Sequence, residues 1–370
     1  MKKRAVLLLA PVVVVTACSL GASPGRFLAA DPGETDAAIA DAVASEGGDA
    51  SAAEGGAGAS VYLIGGEEPA PPPTLRRATA TTLFATWRGA DLALFTPGFA
   101  LPEPGIYGPV DAADGWAFVG AASVRDDVAT IAEPNGPLVL VRAPRGGLEG
   151  WTVGTGPVVP IARGALTTAG SLVFVVASSS TFVASVDANA LTASAFRDLR
   201  RPLASAREVP STCFVGNELY VVGGETPPDN PSAAVDHATL DPAAGALGPF
   251  AAQPRLATGA VGATCIGARG RLYVLGGRNG AILDSVLSAA IGAGGTLGPW
   301  RTEPPLPTPL LGGTVVMLGD ELVVLGGVKS GDVLSDRVFA AKLDGAGAPT
   351  WRTIERALAR PMAFARAVSF

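Results

Sequence analysis

One histidine, His237, and three cysteines, Cys18, Cys213 and Cys265, limit the chemistry open to this 370-residue chain. Transition-metal sites usually draw on several imidazoles or thiolates, so most His-rich metal centres are excluded and no cofactor is implied. A catalytic cysteine is disfavoured too, because the histidine that would activate it lies in a different stretch of sequence. His237 falls within Val235-Asp-His-Ala-Thr-Leu240. That alternating pattern predicts a strand and a half-exposed structural histidine rather than a base or ligand. Carboxylates and guanidiniums remain. One set follows short glycine- or alanine-closed apolar runs: Glu67, Glu68, Arg125, Glu225, Arg278 and Lys329. A second set precedes the next such run: Arg201, Arg207, Arg255 and Arg360. Mixed charges of this kind suit a polar ligand such as a glycan or an acidic peptide. Solvated loops carry the same residue types without any ligand.

The elements that would position these residues follow from an internal repeat. Val61-Tyr-Leu-Ile-Gly-Gly66, Leu219-Tyr-Val-Val-Gly-Gly224, Leu272-Tyr-Val-Leu-Gly-Gly277 and Leu322-Val-Val-Leu-Gly-Gly327 are near copies. Trp116-Ala-Phe-Val-Gly-Ala121 and Leu172-Val-Phe-Val-Val-Ala177 are degenerate ones. β-Branched and aromatic residues favour a strand, and the glycines permit a tight turn or a close backbone approach. An aromatic marker follows each run: Trp87, Trp151, Phe196, Phe250, Trp300 and Trp351. Between run and marker lie alternating stretches such as Ser285-Val-Leu-Ser-Ala-Ala-Ile291, and a proline-marked turn and a small-residue strand come next. The unit is therefore four strands: small-residue, Gly-Gly, alternating and aromatic. With 48 Gly and 31 Pro, and neither a Gly-X-Y period nor heptads, the composition also argues for an all-β fold.

This pattern resembles the kelch repeat, over roughly residues 59 to 370, and it is strongest from Leu219 to Trp351. The resemblance implies a β-propeller whose outer aromatic packs against the next blade beside the glycine pair. Six runs predict six blades, with the ring closed by pairing the N-terminal strand near Ser60 with the C-terminal strand near Phe370. It further implies that both charged loop sets share one face, with Glu67, Arg125, Glu225, Arg255, Arg278 and Lys329 as candidate ligand-face residues. Among propeller enzymes, copper radical oxidases need tyrosine and histidine ligands that one His and four Tyr hardly supply. Sialidase boxes are not matched, because Asp344 to Trp351 has the wrong spacing. Six-bladed kelch-type sialic acid mutarotases remain open, with Glu225, Arg278 and Arg255 available for their roles. Cys213 and Cys265 occupy matching positions of consecutive inner strands, and two readings fit them: a disulfide in an oxidising compartment, or two buried thiols.

Met1-Lys-Lys-Arg4 followed by an apolar run to Ala17 reads as a secretory signal peptide, too short to span a bilayer as a helix. Val15-Thr16-Ala17-Cys18 resembles the lipobox of bacterial lipoproteins, which predicts lipidation of Cys18; plain cleavage after Ala17 is the competing reading. Ser19 in place of Asp favours the outer membrane. Residues 18–59 are small and acidic, with a net charge of −6, and read as a disordered tether; a short helix near Thr35 to Ser45 competes. The signal carries +3, so residues 60–370 carry about −3 of the total −6. That balance offers no footprint for nucleic acid. The expected protein is a lipid-anchored envelope monomer, a binding or scaffold protein that recognises a protein or glycan through its loops without catalysis. An exported carbohydrate-active enzyme such as a sialic acid mutarotase is the alternative. The insertions at 88–107 and 122–137 are its most distinctive surface.

Overall fold

A computed structural model describes residues 59–369, apart from 70–75, 89–90, 99, 102–104, 111–115, 123–136, 144–151, 159–163, 227–229 and 355–357. The regular structure described is β-strand, with a single helical turn at Ala293–Gly295. Residues 211–252 show the plan. Ser211–Val215 is innermost, Glu218–Val222 and Val235–Asp241 follow, and the short strands Ala246–Leu247 and Ala251–Ala252 lie outermost, all antiparallel. In the second strand only Glu218 is partly exposed; Leu219, Tyr220, Val221 and Val222 are all buried. A strand covered on both faces by other sheets needs apolar residues at every position, which is why the Gly-Gly runs do not alternate.

Among the described residues there are six sheets of four or five strands. Five are cut from one continuous stretch each: blade 1 from 105–158, blade 2 from 165–198, blade 3 from 211–252, blade 4 from 264–303 and blade 5 from 314–354. The remaining sheet is composite. Arg366–Ser369 pairs with Ala59–Ile64, which pairs with Thr82–Arg88. Six runs predict six like blades, but five continuous blades are found among the described residues. The Val61 run differs because its inner neighbour comes from the far end of the chain. The architecture is an all-β β-propeller.

The glycine pairs act at the seams between blades. Gly223, Gly276 and Gly326 have φ of 62°, 62° and 65°, and a Cβ on each would overlap the carbonyl oxygen of Ala260, Leu310 or Met362 in the next connection. The second glycine donates its N–H to that same carbonyl, at 2.9, 2.9 and 2.7 Å for Gly224, Gly277 and Gly327. Further seam bonds repeat. Tyr220 and Tyr273 donate their hydroxyls to Gly295 O and Gly347 O, at 2.7 and 2.6 Å. Ser211 and Thr314 donate to Ala263 O and Ala365 O, both at 2.5 Å. Cys213 and Cys265 are disulfide-bonded with Cα atoms 6.0 Å apart, joining the innermost strands of blades 3 and 4.

Two of the aromatic markers, Trp300 and Trp351, pack into the clusters they share with the neighbouring blade, as expected, whereas Trp87 departs from the expectation. Trp300 and Trp351 donate their indole N–H groups to Pro254 O and Pro304 O, at 2.7 and 2.9 Å. The ladder sets Arg301 opposite Ser288 and Glu303 opposite Val286, so Trp300 lies toward the end of blade 4 away from Gly276 and Gly277. Trp87 is not in an outer strand at all. It belongs to Thr82–Arg88, opposite Ala59, and is buried there with the Arg352 guanidinium 6.0 Å from its ring. Trp151 lies outside the described residues.

Candidate functional site at the glycine-pair face

Past each glycine pair the chain leaves its blade and forms a small hairpin. The four hairpins are Glu67–Pro69 with Arg76–Ala78, Glu225–Thr226 with Asn230–Pro231, Arg278–Asn279 with Ala281–Ile282, and Val328–Lys329 with Val333–Leu334. The positive φ of the pairs turns the backbone outward, and Gly280 and Gly331 supply the same freedom within two hairpin loops. The first hairpin residue also pairs with the connection entering its own blade: Glu67 with Ala363, Glu225 with Glu208, Arg278 with Val261 and Val328 with Leu311. Glu208 and Glu225 exchange both backbone bonds, at 2.8 and 2.9 Å. Each hairpin thus becomes one side of a three-stranded bracket.

The brackets share a backbone frame and differ in side chains. Their central rows read Ala363, Glu67, Ala78; Glu208, Glu225, Pro231; Val261, Arg278, Ile282; and Leu311, Val328, Leu334. The first row carries one carboxylate and the second two, the third carries a guanidinium, and the fourth is apolar. Leu311, Val328, Leu334, Ala363 and Phe364 pack together there, with Val333 on the hairpin 53% exposed. Blade 2 has no glycine pair; its run ends at Ala177, whose N–H bonds directly to Ser180 O.

Of the residues expected at a ligand face, Arg278 and Arg255 are exposed, while Glu225 and Lys329 are half-buried. Glu67 is buried, and Glu68 accepts a bond from Thr81 Oγ1 at 3.1 Å and faces Arg360 at 3.5 Å. Arg207 belongs to the core. It pairs with Asp236 at 2.6 Å and donates to Gly223 O and Val221 O at 2.6 and 2.8 Å. Burial pulls its guanidinium below its ordinary value, and the Asp236 carboxylate opposes that shift. Arg125 and Cys18 lie outside the described residues, as do 123–136 of the second insertion.

His237 is buried, at 6% exposure, and not half-exposed. Its Nε2 lies 2.5 Å from Glu218 Oε2, which also accepts a bond from Thr239 Oγ1 at 2.8 Å. The Gly295 turn of blade 4 closes over the pair, since a Cβ at Gly295 would overlap His237 Nε2. Sequence reasoning saw an outer alternating strand and missed that the neighbouring blade's turn covers it. It also missed Glu208. The signal was there: Glu208, Val261 and Leu311 each stand three residues before an inner strand. Among the described residues, no group of three or more His, Cys, Asp or Glu side chains is placed to hold a metal ion. No helix among them is long and apolar enough to cross a membrane.

The class defined by this architecture is the β-propeller. No protein-family model matches the chain, and no curated protein matches it in sequence. A solved structure titled "Structure of YjhT" is similar in fold, with a TM-score of 0.57 at 10% identity, covering 78% of this chain and 97% of the other. At that identity the likeness speaks to the propeller fold alone.

Proposed function

We propose that the chain is a kelch-type binding propeller that takes a protein or glycan ligand on its glycine-pair face and catalyses no reaction on it. One observation carries this reading: four brackets of a single backbone frame stand on one face with different residues at matching positions. Such a frame lets recognition vary while the blades stay constant. The acidic Glu208 and Glu225 row beside the exposed Arg278 and Arg255 favours a ligand with polar groups of both signs, and the Val333 sector adds apolar contact. The composite sheet is read as a sixth blade that closes the ring, supported by the pairing of Ala59–Ile64 with Arg366–Ser369. Lipidation of Cys18 would tether the propeller to the cell envelope, in the outer membrane, through residues 18–59.

The test is a glycan panel together with cross-linking on intact cells, using the full chain. Glu225→Lys and Arg278→Glu should each weaken capture of the ligand tenfold or more while leaving the melting temperature within a few degrees. Undiminished capture by both variants would remove the ligand from this face. The carbohydrate-active enzyme reading gives a different result: anomer exchange of a bound sugar, followed by NMR, that stops in Glu225→Gln while binding persists.

A further inference from the structure

The innermost strands of blades 3 and 4, Ser211–Val215 and Thr264–Ala268, lie side by side with no backbone ladder between them. Ser211 Oγ on Ala263 O, Gly224 N on Ala260 O and Tyr220 Oη on Gly295 O hold this seam. The Cys213–Cys265 disulfide adds a covalent link, and both cysteines are fully buried. The seam between blades 4 and 5 has the matching bonds of Gly277 and Tyr273, and among the described residues it has no covalent link. Its Thr264 Oγ1, in the position of Ser211, has no hydrogen-bond partner among the described residues.

The bond also ties two brackets together. Glu208, opposite Glu225, stands three residues before Ser211, and Val261, opposite Arg278, stands three residues before Thr264. Fixing the two inner strands therefore fixes the acidic bracket relative to the Arg278 bracket. We propose that Cys213–Cys265 is a covalent clasp that sets the spacing of these two brackets, so that breaking it with a dithiol loosens the ligand face at this one seam. Its consequence for binding rests on the reading of that face given above. A dithiol thiolate attacks one sulfur and forms a mixed disulfide, and the other cysteine leaves as a thiolate and takes a proton. The second thiol of the reagent then closes its own disulfide and releases the remaining cysteine. Two electrons and two protons pass to the protein. Because both sulfurs are buried, the reagent enters only when the seam opens, and reduction is gated by that opening.

Hydrogen exchange on the full chain, oxidised and after dithiothreitol, tests the clasp without needing a ligand. Alkylation read by mass spectrometry reports the state of Cys213 and Cys265 in the same samples. Reduction should speed exchange of 208–215 and 261–268 at least tenfold and leave 314–318 within twofold. The Cys213→Ala, Cys265→Ala variant should match the reduced protein, and if it does not fold, the reduced wild type supplies the comparison. An equal rise across all the inner strands would make the bond a general staple and overturn the proposal, and so would no change at all. If exchange responds as expected and no ligand binds the face, the clasp stands and the binding reading falls.

Discussion

Gly276 has φ of 62°, and a Cβ there would overlap the Leu310 carbonyl oxygen that the next glycine needs for its seam bond. Gly280 has a similar φ of 70°, but nothing lies within 4 Å of its Cβ position. Comparing alanine at the two sites separates backbone strain from seam contact. Gly280→Ala should cost about 1 kcal/mol, the left-handed penalty alone. Gly276→Ala should cost about 3 kcal/mol or more, because strain, overlap and a displaced hydrogen bond combine. Urea melts of both variants read the difference, and equal costs would mean that the blades slide apart freely. Arg207 offers a second comparison. The matching positions in other connections are Ala260, Leu310 and Met362, so a charge is not required by the frame. Arg207→Ala leaves the buried Asp236 carboxylate without its countercharge, held only by the Ser205 N–H, and should cost roughly 3–5 kcal/mol. Replacing both residues by leucine should restore most of that loss, since a buried ion pair is often matched by apolar packing of similar volume. A double variant as unstable as Arg207→Ala would show that the guanidinium is needed for its bonds to Gly223 O and Val221 O.

Turns on the side away from the hairpins act as latches, and their pH dependence follows from two kinds of group. Tyr273 is buried and donates to Gly347 O; burial pushes its phenol up to about 12. Tyr220 is raised still further by the same cause, with Glu218 adding to it. A raised phenol contributes stability that is complete below the unfolded value near 10 and is lost as pH climbs through the folded value. Thermal melts should therefore hold between pH 7 and 9.5 and fall steeply between about 10 and 12. Tyr220→Phe with Tyr273→Phe should start from a lower melting temperature and show a shallower alkaline fall. An unchanged slope would separate the latches from the alkaline transition. The acid side rests on Asp344, whose Oδ1 accepts the N–H groups of Ala346 and Ala348, both at 2.8 Å, and so shapes the turn that presents Gly347 O. Those backbone bonds hold its carboxyl below the usual aspartate value, so its contribution is present above about pH 4 and fades as pH falls further. Asp344→Ala should flatten that acid limb. The strands themselves were legible in the sequence because an apolar run closed by two glycines has few other solutions. The latches were not, since a turn gives no sign of which blade will fold over it. His237 shows the consequence: its strand, Val235–Asp241, follows from the alternating pattern, but its burial comes from a turn nearly sixty residues later.

At the scale of the whole molecule, the repeat made the propeller legible and left the arrangement of its ends to the structure. A run such as Leu272 to Gly277 carries its blade's inner and outer neighbours close by in sequence, and these blades follow from local pattern. The Val61 run does not, for its inner neighbour is more than 300 residues away, at Arg366–Ser369. The candidate face was half legible in the same way. Arg278 and Glu225 were visible as residues after a glycine pair, whereas their partners Val261 and Glu208 come from connections that the repeat does not mark. The composite sheet makes a prediction about the ends. Val61 stands opposite Ser369 in antiparallel register, so the N-terminal edge of the domain and its C-terminus meet at one place. If that pairing closes a ring of six blades, the chain has no privileged opening. A circular permutant that joins 369 to 59 through a short glycine-rich linker and opens at residues 257–258, in the connection between blades 3 and 4, should then fold. Its melting temperature should lie within about 10 °C of the parent, a shift of one to a few kcal/mol for a domain of this size. Truncating the chain after Pro361 instead strips the composite sheet of its inner strand, exposes the edge of Ala59–Ile64, and deletes the Met362 carbonyl that Gly327 uses. That truncation should aggregate or pair through the exposed edge, seen as loss of monomer by light scattering. A permutant that unfolds beside a truncation that stays monomeric would mean that the ends merely lie together, and that the propeller is held by its five continuous blades.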